Sequence, residues 1–169
     1  MELLSKAKGV FNQGVINLYE DVIRHNLLNV VLSSPGLQIG TTSKKEVRIN
    51  ATTVYKINGE FKSKSAAEVG FTATTHDIAA NANKIQERYY LFTINAGGTV
   101  TITAGDQADS GEGVLPEIPA GNVAVLGWVK IAIAAGSTKF DATTDDLDAA
   151  HITDTYFSGS VIPSMETAQ

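Results

Sequence analysis

From Leu37 onward the apolar residues recur at every second position, and turn signals divide this pattern into hairpins. Residues 53–57 alternate, meet Asn58-Gly59, and return as Glu60-Phe61-Lys62. Asn-Gly between two alternating segments predicts a two-residue β-turn, because both turn residues need a positive φ. The period therefore predicts a mainly β protein, an antiparallel β-sandwich or a barrel-like domain.

A second hairpin is predicted at residues 89–103. Its strands flank the turn sequence Asn-Ala-Gly-Gly at residues 95–98. Every second residue of the two strands is apolar, so one face of this hairpin is predicted to be buried. The residues of that face are Tyr90, Phe92, Ile94, Val100 and Ile102.

Residues 122–133 form the most hydrophobic segment, and they predict a strand that is buried on both sides. One predicted face holds Val123, Val125, Val129, Ile131 and Ile133, and the other holds Ala124, Leu126, Trp128 and Ala132. Lys130 is the one charged residue of the segment. Such a strand lies either inside a sandwich or under a neighbouring subunit. We predict an oligomer interface at Val125, Leu126, Trp128, Val129 and Ile131.

The N-terminal part has a different period. Its apolar residues recur at steps of three and four between residues 15 and 32, and Pro35-Gly36 follows. This spacing predicts a helix at residues 15–32, although residues 27–32 also fit a strand. We therefore predict three parts: an N-terminal arm at 1–46 (helical or extended), a β-rich domain at 47–160, and a flexible C-terminal tail at 161–169.

Composition excludes several classes of function. The chain has no cysteine, so disulfides and thiolate catalysis are excluded. No apolar run approaches the roughly 18 residues that span a bilayer, so no membrane association is expected. The net charge is −5, with an excess of seven acidic residues after residue 60, which argues against nucleic-acid binding. Charged residues make up 18% of the chain against about 25% in an average domain, which indicates that partner subunits cover some of the surface.

Two groups of residues could carry chemistry, and both have a simpler interpretation. His76-Asp77 could orient a base for a nucleophile, but a solvated loop pair is the favoured interpretation. Residues 141–151 contain four aspartates that could bind calcium, whereas Thr143 and Asp146 also fit the cap of a helical turn. We expect no catalytic site, no metal site and no cofactor.

A set of short phrases between residues 49 and 157 resembles tailed-phage virion proteins of the capsid decoration (cement) and head-fibre type. The phrases include VYKINGEF at 54–61, FTATT at 71–75, YYLF at 89–92, VTITAG at 100–105, LPEIPAGNV at 115–123, LGWVKI at 126–131 and ITDTY at 152–156. The resemblance covers about two thirds of the chain. It implies a non-enzymatic β-module, a homotrimer, that is displayed on the capsid surface of a virion.

By the same resemblance, the N-terminal part anchors the module to the major capsid protein. The apolar stripe of the arm supplies the predicted attachment residues: Val15, Leu18, Tyr19, Val22, Ile23, Leu27, Val30 and Val31. The alternative is a tail-fibre module that binds a receptor or a glycan. That function predicts exposed aromatic rings in a loop-end pocket, drawn from Tyr89, Tyr90, Tyr156 and Phe157.

Overall fold

The computed structural model describes residues 29–72 and 74–159, and these residues form eleven β-strands that pair antiparallel throughout. Within these two ranges, no helix has the length and apolarity to cross a membrane. The strands are β1 (Val30–Val31), β2 (Leu37–Ile39), β3 (Glu46–Ile49), β4 (Thr53–Ile57), β5 (Glu60–Lys64), β6 (Ala67–Gly70), β7 (Gln86–Asn95), β8 (Val100–Ala104), β9 (Ala108–Asp109), β10 (Val123–Ile133) and β11 (Ile152–Ser158).

The strands form one large sheet and two small ones. The large sheet has the order β11-β10-β7-β8, and β9 pairs with the free half of β7. The small sheets have the orders β1-β4-β5 and β2-β3-β6. Buried side chains from all three sheets form one hydrophobic core, so the small sheets cover one face of the large sheet. We name this covered face the inner face. The predicted mainly β, antiparallel fold is confirmed.

Both predicted hairpins are present. Asn58 and Gly59 have φ values of 52° and 85°, as a type I′ turn between β4 and β5 requires. In the second hairpin, Ile94 pairs with Val100 and Phe92 pairs with Ile102. The predicted face of this hairpin contributes to the core, since its β7 residues are fully buried and its β8 residues pack against them.

The N-terminal prediction is corrected where the structure describes it. Val30 and Val31 form β1, which pairs with β4, and they do not end a helix. The strand interpretation of residues 27–32 was correct at this position, because two consecutive valines suit a β-ladder. The rest of the predicted helix, residues 15–28, lies outside the described residues.

The β-rich unit also includes more of the chain than predicted. Strands β1 and β2 and the first residue of β3 fall within residues 1–46, the predicted arm. Leu37 is buried in the core, and its backbone N–H donates to Ser158 Oγ at 2.6 Å. Residues 30–46 therefore belong to the fold. The predicted tail at 161–169 lies outside the described residues.

A β-bulge divides strand β10 and changes which of its residues face the core. Val125 pairs with Thr93 of β7 and Gly127 pairs with Phe92, so Leu126 is an extra residue. The core side of β10 consequently holds Ala124, Leu126, Val129, Ile131 and Ile133. The prediction of two unbroken faces was wrong, because one extra residue reverses the alternation from that position onward.

Gly127 is the residue that permits this bulge. Its φ is 150°, and a Cβ at this position would overlap the carbonyl oxygen of Phe157 and lie 2.9 Å from a methyl group of Leu37. A side chain would therefore disturb both the pairing of β10 with β11 and the core behind it.

Gly127→Ala is expected to lower the free energy of unfolding by about 2 kcal/mol or more, because it combines backbone strain with overpacking. Urea denaturation measures the change. Gly97→Ala is the matched control, since its added methyl group has only the Asn95 side chain nearby, at 3.4 Å. Equal stability of the two variants would contradict this role of Gly127.

Candidate functional site

Three aromatic side chains lie in a row across the outer face of the large sheet. Trp128 stacks on Phe157 with a centroid distance of 5.2 Å and an interplanar angle of 13°. The ring of Tyr89 lies 5.4 Å from Trp128 on the opposite side, at 60°. Phe157 is 54% exposed, and Tyr89 and Trp128 are half-buried. We name these three residues the aromatic row.

Strand register places the row. Trp128 pairs directly with Phe157 of β11, and its neighbour Lys130 pairs with Tyr89 of β7. Cross-strand neighbours on one face of an antiparallel sheet are close enough for aromatic side chains to pack together. The bulge at Gly127 turns Trp128 outward, because an unbroken alternation after Leu126 would point it into the core.

The loop between β9 and β10 continues the apolar surface beyond Tyr89. A Cβ at Gly113 would lie 2.7 Å from the Tyr89 ring, so the backbone of the loop lies against that ring. Val114, Leu115 and Ile118 of the loop are exposed by 73%, 43% and 61%. Exposed apolar residues in this number, next to an exposed aromatic row, are typical of an interaction surface.

A buried carboxylate holds this loop on the sheet. Glu87 is only 1% exposed, and its Oε1 accepts the backbone N–H of Gly113 at 3.1 Å. Its Oε2 lies 3.6 Å from Lys130 Nζ. Both residues flank Tyr89 on the outer face. A charged residue buried this completely needs such partners, so the contact fixes the loop beside the aromatic row.

The same loop borders an acidic cleft of about 310 Å³. Val114, Leu115 and Pro116 supply its apolar wall, and Asp106, Glu112 and Glu117 supply carboxylates. A Cβ at Gly105, the first residue after β8, would lie 3.3 Å from Pro116 Cδ. The cleft therefore lies at the base of the β7–β8 hairpin, where β8 ends.

A second exposed apolar surface lies on the β4–β5 hairpin. Phe61 is 72% exposed, and Lys56 Nζ lies 5.5 Å from the centroid of its ring. Val54, on the same face, is 38% exposed. The interaction of Lys56 with Phe61 keeps the ammonium group beside the ring, so the hairpin presents an apolar group and a positive charge together.

The predicted oligomer interface is divided between the two faces of β10. Leu126, Val129 and Ile131 are fully buried in the chain's own core, so the prediction was wrong for them. Val125 and Trp128 are half-buried on the outer face, where a partner could reach them. Two features explain why β10 has so few charged residues. One of its faces packs in the core, and the other contributes Trp128 to the aromatic row.

The predicted capsid-attachment residues are described only at their C-terminal end. Val31 is 2% exposed and belongs to the core, so it is corrected from an attachment residue to a core residue. Val30 is 8% exposed and is also corrected, because a side chain buried to this extent leaves little surface for a capsid partner. Val15, Leu18, Tyr19, Val22, Ile23 and Leu27 lie outside the described residues.

The aromatic residues predicted for a receptor pocket have different positions in the structure. Tyr90 is fully buried, and its hydroxyl donates to the backbone carbonyl of His76 at 2.6 Å. Tyr156 is half-buried and its hydroxyl donates to Asp154 at 2.5 Å. Tyr89 and Phe157 belong to the aromatic row, on a sheet face. The cleft lined by residues 104–117 and the one lined by residues 42–68 contain none of these four rings.

His76 is buried, which corrects the prediction of a solvated loop pair. It is 4% exposed and packs edge-on against Phe71 and Tyr90. Its Nδ1 accepts the backbone N–H of Thr72 at 2.8 Å, so this nitrogen carries no proton. Burial lowers the pKa of His76, and the nearby Arg88 guanidinium lowers this pKa further.

The acidic stretch after Phe140 is arranged around turns. Asp141 Oδ1 accepts the N–H and the hydroxyl of Thr143, and Asp145 accepts the N–H of Asp141. The capping side chain is therefore Asp141, whereas the sequence predicted Thr143. A hydrogen bond from Lys139 lowers the pKa of Asp141. In the ranges that the structure covers, no three His, Asp or Glu side chains are grouped to hold a metal ion.

Sequence reasoning missed Val114, Leu115, Ile118 and Phe61 as surface residues. The apolar loop residues lie near Pro116 and Pro119 and do not alternate with polar residues at a regular spacing. The sequence therefore could not predict whether their side chains are buried or exposed. Phe61 follows the Asn-Gly turn, where its face depends on the pairing of β5 with β4. An apolar residue opposite Lys56 in the predicted register was the signal that could have identified it.

The buried neutral His76 predicts a pH dependence of stability. Because its pKa in the folded chain is lowered, the unfolded chain binds the proton first as the pH falls through about 6.5. The free energy of unfolding should be constant above this pH and should decrease below it. His76→Asn should reduce the slope between pH 7 and pH 5, measured by urea denaturation.

This pH window separates His76 from the carboxylates. The backbone N–H of Thr42 and its neighbours lower the pKa of Glu68 to about 2, so its contribution is lost only below pH 4.5. A slope between pH 7 and pH 5 that is the same in His76→Asn and in the unmodified chain would contradict the role assigned to His76.

No family model, no curated protein and no solved structure matches this chain.

Proposed function

We propose that this protein is a non-enzymatic structural component of a tailed-phage virion, a capsid decoration or head-fibre protein that works by assembly. The observation that carries this proposal is the partly exposed aromatic row on the outer face of the large sheet. Phe157 is 54% exposed beside Trp128 and Tyr89, so a complex in which a partner covers these rings is stabilised by the burial of apolar surface.

The composition of the surface supports assembly. Tryptophan and tyrosine are enriched among the residues that dominate protein–protein binding energy. The row is continuous with the loop residues Val114 and Leu115, so apolar groups extend over two elements of the fold. Taking a phenylalanine side chain from full exposure to full burial contributes about 1.5–3 kcal/mol, so covering the remaining exposed surface of Phe157 contributes part of this amount. Several contacts at fixed geometry add as avidity on a particle surface.

Three of the phrases that resemble virion proteins lie in the strands that carry the aromatic row. The phrases YYLF, LGWVKI and ITDTY lie in β7, β10 and β11, and each strand contributes a residue to the row. The partners that the proposal names are further copies of this chain, as a homotrimer, and the major capsid protein. Residues before β1 are the proposed attachment arm, and the capsid surface of the virion is the proposed location.

A receptor- or glycan-binding fibre module is the second candidate. The open face of the Phe157 ring favours it, because sugars stack on exposed aromatic rings. The residues around the aromatic row favour assembly more strongly. The row lies on the face of a sheet, and the loop residues next to it, Val114 and Leu115, are apolar and exposed.

Phe157→Ser is expected to leave the chain folded and to weaken its self-association at least tenfold, because the ring is more than half exposed and stacks mainly on Trp128. Sedimentation velocity over a range of concentrations measures self-association. Co-sedimentation with shells of the major capsid protein measures attachment.

Ile85→Ser is the matched control, because Ile85 is a similarly exposed apolar residue that is not part of the row. It should associate like the unmodified chain. A chain that remains monomeric at every concentration, does not sediment with shells and binds a glycan would contradict the assembly proposal.

A further inference from the structure

The two exposed surfaces of this chain have complementary chemistry. The β4–β5 hairpin presents Phe61 with the Lys56 ammonium beside its ring. The acidic cleft presents the apolar side chains Val114 and Leu115 next to three carboxylates. An aromatic ring with an adjacent positive charge is the ligand that such a cleft would accommodate.

The charges of the two segments have opposite sign. Residues 53–64 contain three lysines and one glutamate, and Glu60 is paired with Lys62 at 3.4 Å. Residues 104–117 contain four acidic residues and no lysine or arginine. Of these four, Asp109 is paired with Lys84, whereas Asp106, Glu112 and Glu117 line the cleft.

The volume of the cleft also fits. A cavity of about 150 Å³ accommodates a benzene molecule. A cleft of about 310 Å³ can therefore accommodate the Phe61 ring together with part of the Lys56 side chain. Val114 is 73% exposed, so the apolar wall of the cleft is accessible in a single copy of the chain.

The two surfaces cannot meet within one copy. The small sheet with β4 lies at the turn of the β7–β8 hairpin, where a methyl group at Gly98 would be 3.7 Å from the Tyr55 hydroxyl. The cleft lies at the other end of this hairpin, beside Gly105. The five residues of β8 separate the two ends by about 17 Å.

We propose that the Phe61–Lys56 face of one copy binds in the acidic cleft of the next copy, which gives a head-to-tail contact between identical chains. This inference rests on the proposed function. It names a second copy of the chain as the partner that binds at the loop between β9 and β10. Because a head-to-tail contact uses two different patches, repetition closes into a ring when the rotation permits it. A closed ring of three copies satisfies both surfaces of every copy.

Two variants that each remove one side of the contact test the proposal. The hairpin variant combines Lys56→Ser with Phe61→Ser, and the cleft variant combines Val114→Ser with Leu115→Ser. Each should be folded and should associate at least tenfold more weakly than the unmodified chain. An equimolar mixture should form a complex of two copies and nothing larger, because only one intact pair of surfaces remains.

The mixture distinguishes this geometry from its alternatives. A two-copy complex in the mixture, weakened by 0.5 M salt, supports the head-to-tail contact. A mixture that stays monomeric while the unmodified chain oligomerises would overturn it, as would variants that associate normally. Circular dichroism and thermal unfolding of each variant establish that it is folded.

The outcomes also separate this inference from the proposed function. An unmodified chain that is monomeric at every concentration but still sediments with capsid shells overturns the head-to-tail contact and the homotrimer, and it leaves the proposed capsid attachment standing. A chain that neither oligomerises nor binds shells overturns both.

Discussion

The pairing of β10 with β7 and β11, interrupted once at Gly127, is the constraint on which the rest of the structure depends. Before the bulge, Leu126 faces the core, and after it Val129, Ile131 and Ile133 do so. The bulge thus lets one long strand place Ala124, Leu126, Val129, Ile131 and Ile133 on its core side. It also turns Trp128 outward into the row with Tyr89 and Phe157. Core packing and the exposed surface are consequences of the same backbone irregularity.

The fold class and its hairpins could be predicted because they depend on local chemistry. Asn58-Gly59 specifies a type I′ turn, and the alternation around the Asn95–Gly98 turn specifies which residues of β7 and β8 are buried. The two faces of β10 could not be predicted, since its residues are apolar on both sides and the pattern contains no sign of the extra residue. A glycine next to Trp128 was the available signal, because strand glycines often mark bulges.

The candidate site depends on contacts between segments distant in sequence, so the sequence predicted only part of it. Trp128 and Val125 were predicted as interface residues and do lie on the outer face. The contribution of the loop depends on the contact between Glu87 and Gly113, which joins residues 26 positions apart. His76 was predicted as solvated because it lies in a loop, and its burial follows from packing against Phe71 and Tyr90.

The central claim is that the aromatic row is partly exposed in a single copy and covered in the assembly. Trp128 is the only tryptophan of the chain and lies in the middle of the row, so its fluorescence reports on this surface alone. The account predicts that the emission shifts to shorter wavelength and that acrylamide quenching decreases as the protein concentration is raised through the association midpoint. Emission and quenching that stay constant through that transition would contradict it.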